Sequence, residues 1–271
     1  MRAERVDAVL ARLGVERPGV DLPGLRRVYG AWCRSVPFDN TRKLIHLSEG
    51  RTGPLPGSTA EDFFDAWLEY GTGGTCWAGN GALYELLAAL GFEVERGIAT
   101  MLLRPDAPSP NHGTVIATIA GQRWIADASI LSGEPLAIPA TGAPASSGPL
   151  PRFEWLDDSP AVKWRMLRAP HGFHCRIDRI GVDEEEWDAL HQRTTRWSPF
   201  NYQLTARLVR GVTTVGVEAG RRYVLDDDFD AEPVEGAERA WFLVDQLGIK
   251  RAVASRVPPD RPVPPGPDDG S

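Results

Sequence analysis

A chain of 271 residues can bury a substantial core, in one large domain or in two to three small ones. Its 30 Lys and Arg against 37 Asp and Glu leave a net charge of −7, so no global positive field exists to hold a polyanion, and nucleic acid is not an expected partner. No run of about 18 apolar residues occurs and no apolar core follows the charged start Met1–Arg5, so neither a spanning helix nor a secretory signal is expected. Three widely spaced cysteines (Cys33, Cys76, Cys175) suit a reducing compartment better than a disulfide framework, and the chain reads as cytoplasmic.

The first ninety residues carry helical periodicity. Val6, Val9, Leu10 and Leu13 form one apolar face that stops at Gly14. Asp21-Leu22-Pro23 can cap a second helix bearing Leu25, Val28, Tyr29 and Trp32. A third begins near Ser58-Thr59, buries Phe63, Phe64, Trp67 and Leu68, and ends in Gly71-Thr72-Gly73-Gly74. A fourth follows directly, with Leu83, Leu86, Leu87 and Leu90 on one face and Gly91 as its stop. Beyond Gly91 the period changes to two. Phe92–Leu103 and Thr114–Ala128 predict strands around the proline-rich turn 104–110, and 139–151 reads as a surface loop. Further strands are predicted at Val162–Leu167, Phe173–Arg179, Leu204–Val209 and Arg221–Leu225, and a last helix over Glu238–Leu247. The proline-rich tail 257–271 has too little apolar content to pack and is expected to be disordered.

Chemistry concentrates in Gly73-Gly74-Thr75-Cys76-Trp77-Ala78-Gly79-Asn80. Glycines deliver the chain to a helix that starts at Thr75 and Cys76. A thiol there faces unpaired backbone N–H groups and the positive end of the helix dipole, which favour the thiolate and can hold a developing oxyanion. The other reading is a small buried hydrophobe. A hairpin adds two partners. If Ala120-Gly121 is its two-residue loop, Ile119 pairs with Gln122, Asp127 lies opposite Thr114, and His112 sits two residues further along the same face. A slip of one residue would put His112 and Asp127 on opposite faces. With Cys76 they supply nucleophile, base and orienting carboxylate in the order Cys, His, Asp.

On these residues the chain resembles the arylamine N-acetyltransferase family. The family's Pro-Phe-Glu-Asn appears as Pro37-Phe38-Asp39-Asn40, and its Arg-Gly-Gly-x-Cys-x-Glu-x-Asn as Thr72-Gly73-Gly74-Thr75-Cys76-Trp77-Ala78-Gly79-Asn80. Leu90-Gly91-Phe92, His112, Asp127, Ser198-Pro199-Phe200 and Leu247-Gly248-Ile249 also fit. The resemblance implies an α+β fold in three parts: a helical bundle over 1–92, a β-barrel over 93–203 and an α/β lid over 204–256. It implies Cys76, His112 and Asp127 as catalytic residues, and Phe38, Ile130 and Phe200 as substrate-binding ones. It further implies an acyl-cysteine intermediate, acetyl-coenzyme A or another acyl thioester as co-substrate, and no bound cofactor. An acyl carrier protein is a second donor, since relatives with this triad close amide bonds in natural-product assembly. The expected partners are thus a small amine or acyl substrate and a thioester carrier.

Three departures bear on this. Thr72 and Ala78 replace the family's Arg and Glu, as if one ion pair had been removed as a unit. Ser129-Ile130-Leu131 replaces a Gly-Phe-Gly that follows the family's Asp, which predicts an aliphatic lining and poor use of simple arylamines. A thiol hydrolase or transglutaminase-like enzyme would use the same triad, and a silent binding relative would keep it unused. Elsewhere, His171, His174 and Cys175 have marginal spacing for a metal and no second ligand pair, so no metal site is expected. Arg207, Arg210, Arg221 and Arg222 read as a solvated face or as a surface for phosphates or an acidic carrier. Trp32, Trp67 and Trp241 read as core.

Overall fold

A computed structural model describes residues 1–103, 109–140, 149–225 and 230–266. Helices come first: α1 (Ala3–Leu13), α2 (Leu22–Ser35), the two-residue strand β1 (Phe38–Asp39), α3 (Thr41–Ser48), α4 (Ala60–Tyr70) and α5 (Cys76–Ala89). The predicted punctuation holds. Gly14 ends α1 at φ 69°, Asp21 caps α2 through the Gly24 amide, and Thr59 caps α4 through the Asp62 amide. The α5 helix is buried on nearly every side, through Trp77, Ala78, Asn80, Ala82, Leu83, Leu86 and Leu87. It is the axis around which the other helices pack, so its apolar residues are not confined to one stripe.

A seven-stranded antiparallel sheet follows, built from β2 (Glu93–Met101), β3 (His112–Ile119), β4 (Gln122–Ile125), β5 (Leu136–Ala137), β6 (Arg152–Leu156), β7 (Ser159–Met166) and β8 (Ala169–Ile180). Its order is β5-β4-β3-β2-β8-β7-β6, and the edge strands β5 and β6 approach each other, which nearly closes it into a barrel. The chain continues through α6 (Glu184–Arg193) and a 3-10 turn at Pro199–Asn201. A second antiparallel sheet combines β1 with β9 (Thr205–Arg210), β10 (Thr213–Glu218), β11 (Arg221–Leu225) and β12 (Asp230–Pro233), followed by α7 (Gly236–Asp245) and α8 (Arg251–Ala254). The class is α+β, and no helix among the described residues is long and apolar enough to cross a membrane.

Several elements differ from the sequence expectation. Helix α6 carries a usable signal, Asp183 as cap followed by three glutamates in the first turn, but α3 has none beyond its context. Trp32 and Trp67 are core, whereas Trp241 is 49% exposed. The tail expected to be loose from Val257 is held at least to Pro264. Asp260 accepts from the Leu204 amide and pairs with Arg239, Arg239 donates to the Val257 and Pro258 carbonyls, and Trp197 donates to the Pro264 carbonyl. Backbone carbonyls and one carboxylate do there what apolar side chains could not. The turn at 104–108 and most of the loop at 139–151 lie outside the described residues.

Candidate active site

The approach to Cys76 is fixed from two sides. The buried Asp39 carboxylate accepts the Gly73 amide at 2.6 Å, and its other oxygen accepts the Thr41 amide and hydroxyl. Phe38 bridges Gly74 backbone to backbone. A Cβ on Gly73 would lie 1.7 Å from the Pro37 carbonyl oxygen, so only glycine permits this approach. The chain then enters α5, whose first residue is Cys76 and whose cap, Thr75, makes no side-chain capping bond. The first-turn N–H groups of α5 therefore remain available beside a thiol that is 5% exposed.

The hairpin register matches the expectation. Ile119 pairs with Gln122 and Ile116 with Ile125, around Ala120 and Gly121 at φ 49° and 79°. The Ala126 amide then donates to the Val115 carbonyl, which leaves Asp127 at the level of Thr114. His112, the first residue of β3, places Nε2 2.7 Å from Asp127 Oδ2, with both side chains 2% exposed. The other carboxylate oxygen accepts the Ser129 and Ile130 amides at 2.8 and 3.0 Å. Cys76 is close enough to act on the same imidazole, and its Sγ lies 4.0 Å from the Asn111 carbonyl oxygen. Burial alone would push His112 down, but the Asp127 carboxylate and then the Cys76 sulfur hold it up, at about 10. Burial would raise Asp127, and the His112 charge pulls it down to about 2. The buried pair is an imidazolium on a carboxylate, with the Cys76 sulfur nearby.

Asn80 supports both arms, a role the sequence did not assign. Its Nδ2 donates to the Gly113 carbonyl at 2.6 Å and its Oδ1 accepts the Ala128 amide at 2.8 Å, which joins the residue after His112 to the residue after Asp127. The signal was its spacing: four residues after Cys76, it lies one turn on, along the same helix face. Tyr29 adds a bond from its hydroxyl to the Asp127 carbonyl. The three residues expected to bind substrate do not lie together. Phe38 and Phe200 meet edge to face with centroids 5.5 Å apart, whereas Ile130 packs in the barrel core with residues such as Phe153 and Trp164.

Other expected features change their meaning. Arg207 is 3% exposed, lies over the Phe38 and Trp164 rings, and donates to the Ser129 carbonyl, so it is not part of a solvated face. Arg210 is bound to the Gln246 carbonyl, Arg221 to the Ala231 carbonyl, and Arg222 to Glu232 and Glu238. His174 bonds Glu154 and Cys175 is buried in the barrel core, and among the described residues no group of three potential ligands surrounds a metal position. Thr72 and Ala78 are both buried, and a Cβ on Gly74 would lie 2.8 Å from the Ala78 Cβ, so position 74 has room only for glycine.

Known structures share this architecture. The arylamine N-acetyltransferase of Mycobacterium marinum aligns with a TM-score of 0.75 at 20% identity, covering 93% of this chain and 98% of that one. Its complex with CoA aligns at 0.74 and 19%, with the same coverage. The fold is therefore that of the arylamine N-acetyltransferases. In sequence, a family model described as N-acetyltransferase matches residues 21–155. The arylamine N-acetyltransferase of Mycolicibacterium smegmatis is 34% identical over 125 residues, which span 44% of this chain and 43% of that protein.

Proposed function

We propose that the protein is an N-acyltransferase that moves an acetyl group from acetyl-coenzyme A, through a thioester on Cys76, to an amine. The observation that carries this reading is the buried His112–Asp127 pair at 2.7 Å with Cys76 on the same imidazole, at the start of a helix. The Cys76 thiolate attacks the thioester carbonyl, and the first-turn amides of α5 stabilise the oxyanion. The tetrahedral intermediate collapses by breaking the bond to coenzyme A sulfur, which leaves with the His112 proton. Neutral His112 then takes a proton from the incoming amine as its nitrogen attacks the acyl-cysteine, and Cys76 departs as thiolate. Asp127 holds the ring so that its other nitrogen faces sulfur throughout.

Phe38 and Phe200 form the wall for the acceptor, and their two aromatic faces favour an aromatic amine. Because Ile130 packs in the barrel core, the aliphatic lining that argued against simple arylamines has no support there. The names of the relatives support the same acceptor class, and the CoA complex of the M. marinum protein supports coenzyme A as donor. A carrier-protein donor has less behind it, because Arg210, Arg221 and Arg222 are engaged locally. Three free, buried cysteines suit a cytoplasmic setting. The test is turnover of acetyl-coenzyme A with aniline. A kcat/KM near the lower end of the usual enzyme range, about 10⁴ M⁻¹s⁻¹, lost in Cys76→Ser, is expected. Turnover that persists in Cys76→Ser contradicts the mechanism.

A further inference from the structure

A buried lysine lies beside this site, and the acyl-transfer chemistry leaves it unused. Lys43, on α3 five residues after Phe38, is 5% exposed. Its Nζ donates to Thr194 Oγ1 at 2.9 Å and to the Thr194 carbonyl at 3.3 Å, both neutral acceptors. An ammonium carries three N–H donors, and these contacts use two. Among the described residues no carboxylate lies within ion-pairing distance of Lys43, whereas its neighbour Arg42 has Asp62. Lysines at the edge of a core ordinarily extend their charge to water; this one is held inside.

Its position is set by the segment that closes the nucleophile from the other side. Arg193 donates to the Pro110 carbonyl, Thr194 receives Lys43, and Asn111 presents its carbonyl to Cys76 Sγ. Cys76 is near enough to act on the Lys43 charge. Burial pushes the Lys43 ammonium down to about 7, and burial together with Lys43 pushes the adjacent, buried His191 down to about 3. A cation buried without a counter-charge is costly, and the cost is relieved when a ligand brings the missing anion.

We propose that Lys43 is a specificity-determining residue that recognises a carboxylate on the substrate next to Cys76. The proposal rests on the acyl-transfer reading and names a feature of its substrate. The carboxylate belongs either to a dicarboxylic acyl group on the donor or to the amine acceptor.

Alkylation of Cys76 by iodoacetate and by its neutral isostere iodoacetamide reads the site without a known substrate, since each transfers a two-carbon group to sulfur as iodide leaves. The iodoacetate-to-iodoacetamide rate ratio for Cys76 should exceed that of N-acetylcysteine in the same buffer, a comparison that needs no variant. Lys43→Met should lower the ratio about tenfold or more, the loss that follows removal of one hydrogen bond to a charged group. A wild-type ratio equal to that of the small thiol, or one unchanged by Lys43→Met, overturns the proposal. Failure of both reagents to label Cys76 removes the acyl-transfer reading with it. The source is then assigned by kcat/KM for succinyl- over butyryl-coenzyme A, and for 4-aminobenzoate over aniline. A Lys43-dependent preference in one arm identifies the carboxylate's origin, and a preference in neither arm overturns the proposal.

Discussion

Asp127 is bound at both carboxylate oxygens, one by His112 and the other by two backbone amides of its own turn, so it has little freedom to move when the imidazole changes charge. Asp127→Asn keeps the shape of this turn but offers His112 an amide. The expected cost is about 10³- to 10⁴-fold in kcat with the fold intact, as in other triads, measured by steady-state kinetics beside circular dichroism. The same pair sets a pH dependence of stability. His112 binds its proton more tightly folded, at about 10 against 6.5, so its contribution is complete below 6.5 and lost as pH rises through about 10. Asp127 is lowered from 3.8 to about 2, so its contribution is complete above 3.8 and lost as pH falls through about 2. Denaturant melts of wild type and Asp127→Asn should therefore differ most between pH 3.8 and 6.5, and converge toward about 10. A gap that widens with rising pH would show that the pair is not an imidazolium on a carboxylate.

At the scale of elements, the site depends on how two turns deliver three side chains. The Gly73-Gly74 approach is closed to any larger residue, because a Cβ on Gly73 meets the Pro37 carbonyl oxygen. Gly73→Ala must displace either β1 or the start of α5. It should cost about 1–3 kcal/mol, the usual range for overpacking, and lower Cys76 alkylation more than a surface substitution of equal stability cost. Normal stability and labelling would mean that this approach is not rigid. The second turn was legible in the sequence because Ala120-Gly121 fixes a two-residue loop, and a two-residue loop fixes the register that brings His112 to Asp127. Cys76 was legible through its glycines. Lys43, Arg207 and the outward Trp241 were not, since their burial or exposure is decided by partners remote in sequence: Thr194 for Lys43, Ser129 and Trp164 for Arg207. Ile130 shows the same limit, because nothing local distinguishes a residue facing the substrate from one facing the barrel core.

Across the whole molecule, the bundle supplies the thiol and the barrel supplies the imidazole and carboxylate, and the segment after the last helix ties the second sheet to the rest. Its bonds from Leu204, Arg239 and Trp197 predict that truncation after Arg256 lowers the melting temperature by several degrees, as loss of about 1 kcal/mol or more does in a domain of this size. An unchanged melting temperature would restore the expectation of a loose tail. The central claim concerns Cys76 as the acyl carrier. Intact and peptide mass spectrometry after incubation with acetyl-coenzyme A and no acceptor tests it most directly. The account predicts one acetyl group on the Cys76 peptide, absent in Cys76→Ser, removed by hydroxylamine and discharged on adding an aromatic amine. Turnover of donor and acceptor with no acetyl ever found on Cys76 would contradict it.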